Sequence, residues 1–254
     1  YAFDSTTIDL CLSVFWWAKF RKKKGGIKVH TLYDIETQIP AFFHITEASV
    51  HDSKVMNEIP YEPGSYYIFD RGYNNFKMLY KIHQIEAYFV VRAKKNLGYK
   101  SIKWKRRLPK NVFSDASILL TGFYPKQYYP EPLRLVKYWD EEQEREFTFI
   151  TNAMHISALQ VAELYKNRWQ VELFFKWLKQ HLKIKRFWGT TENAVRIQIY
   201  AAICTYCLVA IIQHDMQLDR STYEVLQILS ISLTDKTHLR DLFDKTKFQN
   251  DKER

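Results

Sequence analysis

The clearest pattern along this chain lies at residues 164–182, where Leu164, Val171, Phe175, Leu178 and Leu182 recur at helical spacing. At about 100° per residue, Arg168, Glu172 and Lys179 share an arc of about 60° with Tyr165, some 60–100° from that apolar stripe. The spacing predicts an amphipathic helix that buries the stripe and carries one carboxylate among a phenol and two cations at the edge of the buried face. Such a row is either an ordinary solvated basic face or a place where a metal-binding carboxylate sits beside groups that hold phosphate oxygens.

Shorter apolar runs predict the elements upstream. Strands are expected at 1–5, 27–35 and 39–47, the last two joined by a turn at Glu36, Thr37 and Gln38. After His51, Asp52 or Ser53 caps a helix through Val55, Met56 and Ile59. A strand at 64–70, a helix from Asn74 or Asn75 through Phe76, Leu79, Tyr80 and Ile82, and a strand at 87–91 follow. Residues 93–151 then break the alternation. Strand signals at 117–123, 133–139 and 146–151 are divided by Pro125, Pro130 and Pro132 and by the acidic turn Asp140, Glu141 and Glu142, giving a mostly β insertion. Beyond Thr151 the pattern is helical. Ser157 opens a segment that runs into, or bends at, the amphipathic helix; helices at 192–214 and 221–229 and a charged tail complete the chain. The expected division is 1–92, 93–151, 152–234 and 235–254, in the α/β class.

Two aspartates change the weight given to Glu172. Asp4 and Asp70 each follow a short aromatic or apolar run that reads as a buried strand, where a charge is costly unless it has a task. Two aspartates and a helical glutamate form an all-oxygen set suited to Mg²⁺, with Mn²⁺ as a substitute, and no His or Cys cluster favours zinc. Three carboxylates holding two such ions suit phosphoryl transfer on a polynucleotide.

These residues resemble a known family. Asp4-Ser5-Thr6, Asp70-Arg71-Gly72-Tyr73 and the set Tyr165, Arg168, Glu172 and Lys179 look like the three catalytic blocks of bacterial insertion-sequence transposases of the DDE type. The matching group carries a Tyr, Arg, Glu, Lys signature with two, three and six intervening residues. The resemblance implies a ribonuclease H-like core interrupted by the β insertion and followed by C-terminal helices. It implies Asp4, Asp70 and Glu172 as metal ligands, with Tyr165, Arg168 and Lys179 on DNA phosphates. It also implies cleavage at transposon ends, a hairpin intermediate, strand transfer into target DNA, and a homodimer on paired ends. A nuclease or resolvase that cuts without joining, or a silent DNA-binding remnant, are the competing readings.

Charge agrees with a polyanionic partner. Lys and Arg outnumber Asp and Glu 38 to 28, for a net +10. Residues 93–114 hold Lys94, Lys95, Lys100, Lys103, Lys105, Arg106, Arg107 and Lys110 and no acid; residues 10–33 hold six more cations without an acid. Runs of this purity point to phosphate contacts, above all Lys103, Lys105, Arg106 and Arg107. Trp104 and Trp139 either pack inside the insertion or stack on a flipped base. Cys204 and Cys207 are expected in core packing, and His30, His44, His51 and His181 in structural roles. The charge-free run 199–212 is shorter than a membrane span and predicts a buried helix, hence no membrane partner. Without a secretory pattern the expected location is the cytoplasm, and a chain that begins at Tyr1 without Met is expected to be part of a longer one.

Overall fold

Successive residues of the first strand, β1 (Ala2–Leu10), face opposite sides of a sheet, and this splits the hydrophobic core in two. Phe3 packs on one side; Ala2, Ile8 and Leu10 pack on the other. The computed structural model describes residues 1–21, 24–181, 186–232 and 236–243, without the side chains of 19–21, 24 and 181. The chain continues through β2 (Lys19–Arg21), β3 (Lys24–Tyr33), β4 (Pro40–Glu47), β5 (Tyr66–Phe69), α1 (Phe76–Gln84), β6 (Tyr88–Arg92), β7 (Tyr99–Trp104), β8 (Val112–Leu120), α2 (Phe123–Tyr128), β9 (Leu133–Asp140) and β10 (Arg145–Thr151). Among the described residues these are followed by α3 (Ala158–Asn167), α4 (Trp169–His181), α5 (Glu192–Asp215) and α6 (Thr222–Ser232), with residues 239–243 helical beyond them. The structure is mixed α/β with one large, mostly antiparallel sheet and C-terminal helices.

Among the described residues the strand order is β2-β3-β1-β5-β6-β10-β9-β8-β7, with β4 also on β3. β1, β5 and β6 run parallel, and this central trio is apolar on both faces, as parallel strands covered by helices must be. Tyr67 and Phe69 of β5 and Phe89 and Val91 of β6 join the core under α1; Ile68 and Val90 join the core under α3. The strands of 93–151 extend this same sheet, because β10 pairs antiparallel with β6 through Ile150↔Val91.

Several sequence expectations are corrected here. The segment after His51 is a 3₁₀ turn, Asp52–Asn57, capped by the His51 side chain rather than by Asp52 or Ser53. The strand expected at 117–123 is β8, which starts five residues earlier, and 123–128 turns helical behind Gly122. β2 and β7 are additional strands whose Lys-rich sequences hide the period-2 signal. The apolar C-terminal helix is 24 residues long, apolar and long enough to cross a bilayer by length and composition alone, with 33% of its apolar window buried. Val195, Ile199, Ala202 and Ile203 pack on the sheet and α4, whereas Ile197 and Leu208 are exposed. The expectation of a wholly buried helix therefore fails on one face. Cys204 is exposed as well; only Cys207 touches the core.

A buried ion pair ties the outer strands to the helices. Arg134 on β9 makes two hydrogen bonds to Asp115 on β8, at 2.7 and 2.9 Å, and donates to the carbonyls of Ala153 and Ile156 just before α3. Ser157 then caps α3 in a reciprocal capping box with Gln160.

Candidate active site

Two of the three expected carboxylates stand at element ends, whereas Asp4 lies within a strand that runs five residues past the 1–5 expected. Asp4 sits inside β1, where its Oδ1 accepts a 2.8 Å hydrogen bond from the Ser5 amide. Asp70 terminates β5 and opens the 3₁₀ turn Arg71–Tyr73. Glu172 lies in the first turn of α4, where a negative charge is favoured by the helix dipole. Val171, Phe174, Phe175 and Leu178 of α4 are buried against β1, β3 and α5, and this apolar seat aims Glu172 at β1. Fully burying such side chains contributes about 1.5–3 kcal/mol each.

The amphipathic pattern at 165–179 is not one helix. α3 stops at Asn167, Arg168 forms its C-cap with its amide bonded to the carbonyls of Tyr165 and Lys166, and α4 starts at Trp169. Across this junction Arg168 still pairs with Glu172 four residues on and stands 5.6 Å from the Tyr165 ring centroid, so these members of the polar row remain neighbours. The row presents three of its groups to the carboxylates. Tyr165 on α3 donates a 2.9 Å hydrogen bond from its hydroxyl to Asp70 Oδ1. Arg168 at the bend reaches Asp4 Oδ2 and Glu172 Oε1, each at 2.6 Å. Lys179, two turns on along α4, lines an open cleft with Asp4, Ser5, Thr6 and Glu172.

Electrostatics distinguish the two aspartates. Burial drives the Asp4 carboxyl up to about 6; Arg168 and the Ser5 amide oppose this, while the charges of Glu172 and Asp70 reinforce it. Burial also favours protonation of Asp70, but the Arg71 amide, the Tyr165 hydroxyl, Arg168 and Arg92 outweigh it and hold the group below the usual carboxylate range. Tyr165 is raised to about 12, first by burial and then by Asp70, so its hydroxyl remains a donor at neutral pH.

Sequence reading missed a supporting network. Ser5 Oγ donates to Asp52 at 2.9 Å, and Lys28 stands 3.0 Å from the same oxygen. His30 lies 3.9 Å from it, wholly buried, its Nε2 2.9 Å from Thr46 Oγ1. Burial lowers the His30 pKa to about 4, in line with the structural role expected of it. Arg92 was also missed; its Nη1 is 3.9 Å from Asp70 Oδ1. These partners come together by strand pairing, for example Ser5↔His30, and leave no local spacing signal.

The insertion residues are dispersed by comparison. Lys103 lies on β7 and Arg106 and Arg107 in the bend after it, all exposed. Lys105 is held 2.9 Å from buried Asp115, so part of its charge is used within the protein. Trp139 is half-buried on β9 with its ring 6.4 Å from Phe113; Trp104 is 64% exposed, contrary to core packing. The side chain of His181, the cations at 19–24 and most of the tail expected at 235–254 lie outside the described residues.

The donor set suits a hard divalent ion: carboxylate oxygens only, two of them already converging on a single cation, the Arg168 guanidinium. As they stand, no group of three or more His, Cys, Asp or Glu among the described residues closes into a metal cage, since that guanidinium lies between Asp4 and Glu172.

Comparison with known proteins places the chain among transposases. Residues 1–208 match the Transposase DDE domain family. A Sinorhizobium fredii protein bearing a transposase designation, y4zB, is 36% identical over 246 residues, covering 94% of this chain and 67% of the relative. A Geobacillus stearothermophilus protein assigned as transposase of insertion sequence element IS5377 is 31% identical, over 81% of this chain and 54% of its own length. A Synechocystis protein assigned to insertion sequence element IS4SA is 24% identical, over 93% of this chain and 67% of the relative.

Proposed function

Because the chain belongs to the DDE transposase family of bacterial insertion sequences, we propose that Asp4, Asp70 and Glu172 are its catalytic carboxylates and that its substrate is double-stranded DNA. The observation that carries this reading is the convergence of residues from β1, β5 and α4 through Arg168 and Tyr165. The family uses a divalent metal. Here Asp4, Asp70 and Glu172 would hold Mg²⁺, or Mn²⁺ in its place. Bound metal lowers the pKa of an attacking water or 3′-hydroxyl and neutralises the leaving oxygen.

The protein's own groups do the rest. Tyr165 keeps Asp70 oriented and ionised through its hydrogen bond. Ser5 ties the Asp4 strand to Asp52, Lys28 and His30, limiting the freedom of the carboxylate. Arg168 and Lys179 hold phosphate oxygens beside the cut when DNA enters, the guanidinium by a bidentate contact and the ammonium as a point charge. In this reading the enzyme cleaves transposon ends, passes through a hairpin and transfers strands into target DNA, as a homodimer on paired ends at the nucleoid in the cytoplasm.

The strand order β4-β3-β1-β5-β6, with parallel β1, β5 and β6, supports a ribonuclease H-like core formed by 1–92 and 152–234. Residues 93–151 are then an insertion whose strands lengthen the core sheet, carrying Lys103, Lys105, Arg106, Arg107 and Trp139 toward the DNA. Asp4→Asn, Asp70→Asn and Glu172→Gln test the assignment. Each should abolish Mg²⁺-dependent cleavage of end DNA while leaving the fold and DNA binding in place. Near wild-type cleavage by any one of them removes that residue from the catalytic set, and cleavage without joined products from the unaltered chain favours a nuclease instead.

A further inference from the structure

On the α1 side of the sheet, at the end of β6, a cleft of about 250 Å³ is lined by Arg71, Arg92, Lys94, Lys95 and Lys137, with Glu146 as its one acid. Its floor is apolar: Ala93 and Leu135 belong to the core beneath α1. Register places the cations together. The Ala93 amide bonds to the Thr148 carbonyl, and Thr148 pairs with Lys137, so three strands bring one side of the cleft within two residues of Arg92. Arg71 enters from the turn after β5.

Two features separate this cluster from ordinary surface charge. Arg71, Lys94, Lys95 and Lys137 converge on one cleft and, among the described residues, take part in no ion pair, a condition they share with exposed lysines such as Lys54 and Lys77 that line no such cleft. The Arg71 Nε is buried and without a hydrogen-bond partner, a donor costly to leave unmet. The cleft also starts at the proposed catalytic centre. Arg71 directly follows Asp70, and Arg92 lines this cleft while standing 3.9 Å from Asp70.

We infer that this cleft is a binding site for consecutive backbone phosphates of the DNA strand that leaves the cutting site on the Asp70 side, with Arg71, Lys94, Lys95 and Lys137 as contacts. The inference rests on the reading of Asp70 as a catalytic residue. It extends that reading to residues that no spacing motif marks. An unmatched set of cations over an apolar floor fits a phosphodiester and its sugar, and the cleft is too small for a folded acidic segment of another protein.

The test is the salt dependence of binding to a fluorescein-labelled duplex of random sequence, without metal, for two charge-matched variants. One replaces Arg71, Lys94, Lys95 and Lys137 with Gln; the other replaces Lys54, Lys77, Lys81 and Lys126, exposed on the Asp52–Asn57 turn, α1 and α2. Each phosphate contact adds about 0.9 to the slope of log affinity against log salt. The cleft variant should therefore lose about 2–4 from the slope, and the control less than half as much. Equal losses, or an unchanged slope in the cleft variant, overturn the inference while leaving the proposed function standing. Absence of duplex binding by the unaltered chain overturns both. If thermal melting shows the fourfold cleft variant unfolded, Lys95→Gln with Lys137→Gln replaces it, with an expected loss of about 1–2.

Discussion

Arg168 Nη1 lies 2.6 Å from Oδ2 of Asp4, a residue 164 positions earlier in the chain. The same guanidinium holds Glu172 at 2.6 Å, so one cation from the bend between two helices balances two carboxylates that would otherwise repel. Burial first favours the neutral form of Arg168, but these acids overcome it and raise its pKa further.

Arg168→Ala should therefore destabilise the metal-free protein by about 2 kcal/mol, below the roughly 3–5 kcal/mol of a fully buried pair, because all three groups retain some exposure. Mn²⁺ should restore more stability to this variant than to the unaltered chain, since the ion takes over the balancing charge. Urea melts with and without Mn²⁺ give both numbers. Identical Mn²⁺ shifts in the two proteins would show that the guanidinium and the ion do not compete.

Asp4 predicts a pH dependence. Its folded pKa, about 6, lies above the ordinary value of 3.8, so the unfolded chain releases this proton first as pH rises. Stability of the metal-free protein should fall between about pH 4 and pH 6 and level off above. Asp4→Asn should remove that fall and gain about 1–3 kcal/mol at pH 7, with no gain below pH 4. Chemical denaturation in the presence of a chelator across this range is the measurement; a gain that persists at pH 3 contradicts the assignment.

Tyr165→Phe separates positioning from packing. The ring contacts Phe147 and Phe149, at 5.6 and 4.7 Å between centroids, and Phe keeps those contacts. Stability should change by less than about 1.5 kcal/mol, the upper end for a single hydrogen bond. Cleavage should fall about tenfold or more, and the acidic limb of its pH profile should move to higher pH, because Asp70 loses a donor that favours its charged form. An unmoved acidic limb would make Tyr165 a packing residue only.

The Asp115–Arg134 pair bears on the fold rather than the chemistry. Both side chains are nearly inaccessible, 5% and 3% exposed. Asp115→Ala strands a buried guanidinium and should cost about 3–5 kcal/mol, whereas Asp115→Leu with Arg134→Met should recover much of that loss. Equilibrium unfolding of the three proteins decides it. A mild effect of Asp115→Ala would mean that the carbonyls of Ala153 and Ile156 suffice to hold Arg134.

How far these relationships were readable depends on whether they are local. The runs of β3 and β4, the continuous apolar runs of β5 and β6, the caps at Asn75 and Ser157, and the acidic turn before β10 all lie within a few residues of their own signal and stand close to where the pattern puts them, whereas β1 runs five residues past its expected end at 5. β7 escaped because every one of its residues is exposed, so no alternation was selected. Of the two readings for the segment after Ser157, a break before the amphipathic helix is the one observed, but its place at Arg168 left no signal because hydrophobic spacing stays in phase through a one-residue interruption.

Residue type and spacing supplied the chemical inventory: three carboxylates, the accompanying Tyr165, Arg168 and Lys179, an excess of cations, and the family resemblance. How those charges are shared depends on the fold. It placed Arg168 between Asp4 and Glu172, gave Asp70 to Tyr165, matched Lys105 to Asp115, and left Arg71 and Lys137 facing one cleft from a turn and a strand far apart in sequence. Residue type and helical or strand period act over a few residues. Partner choice among charges is set by strand order and register, which bring together positions tens to more than a hundred residues apart.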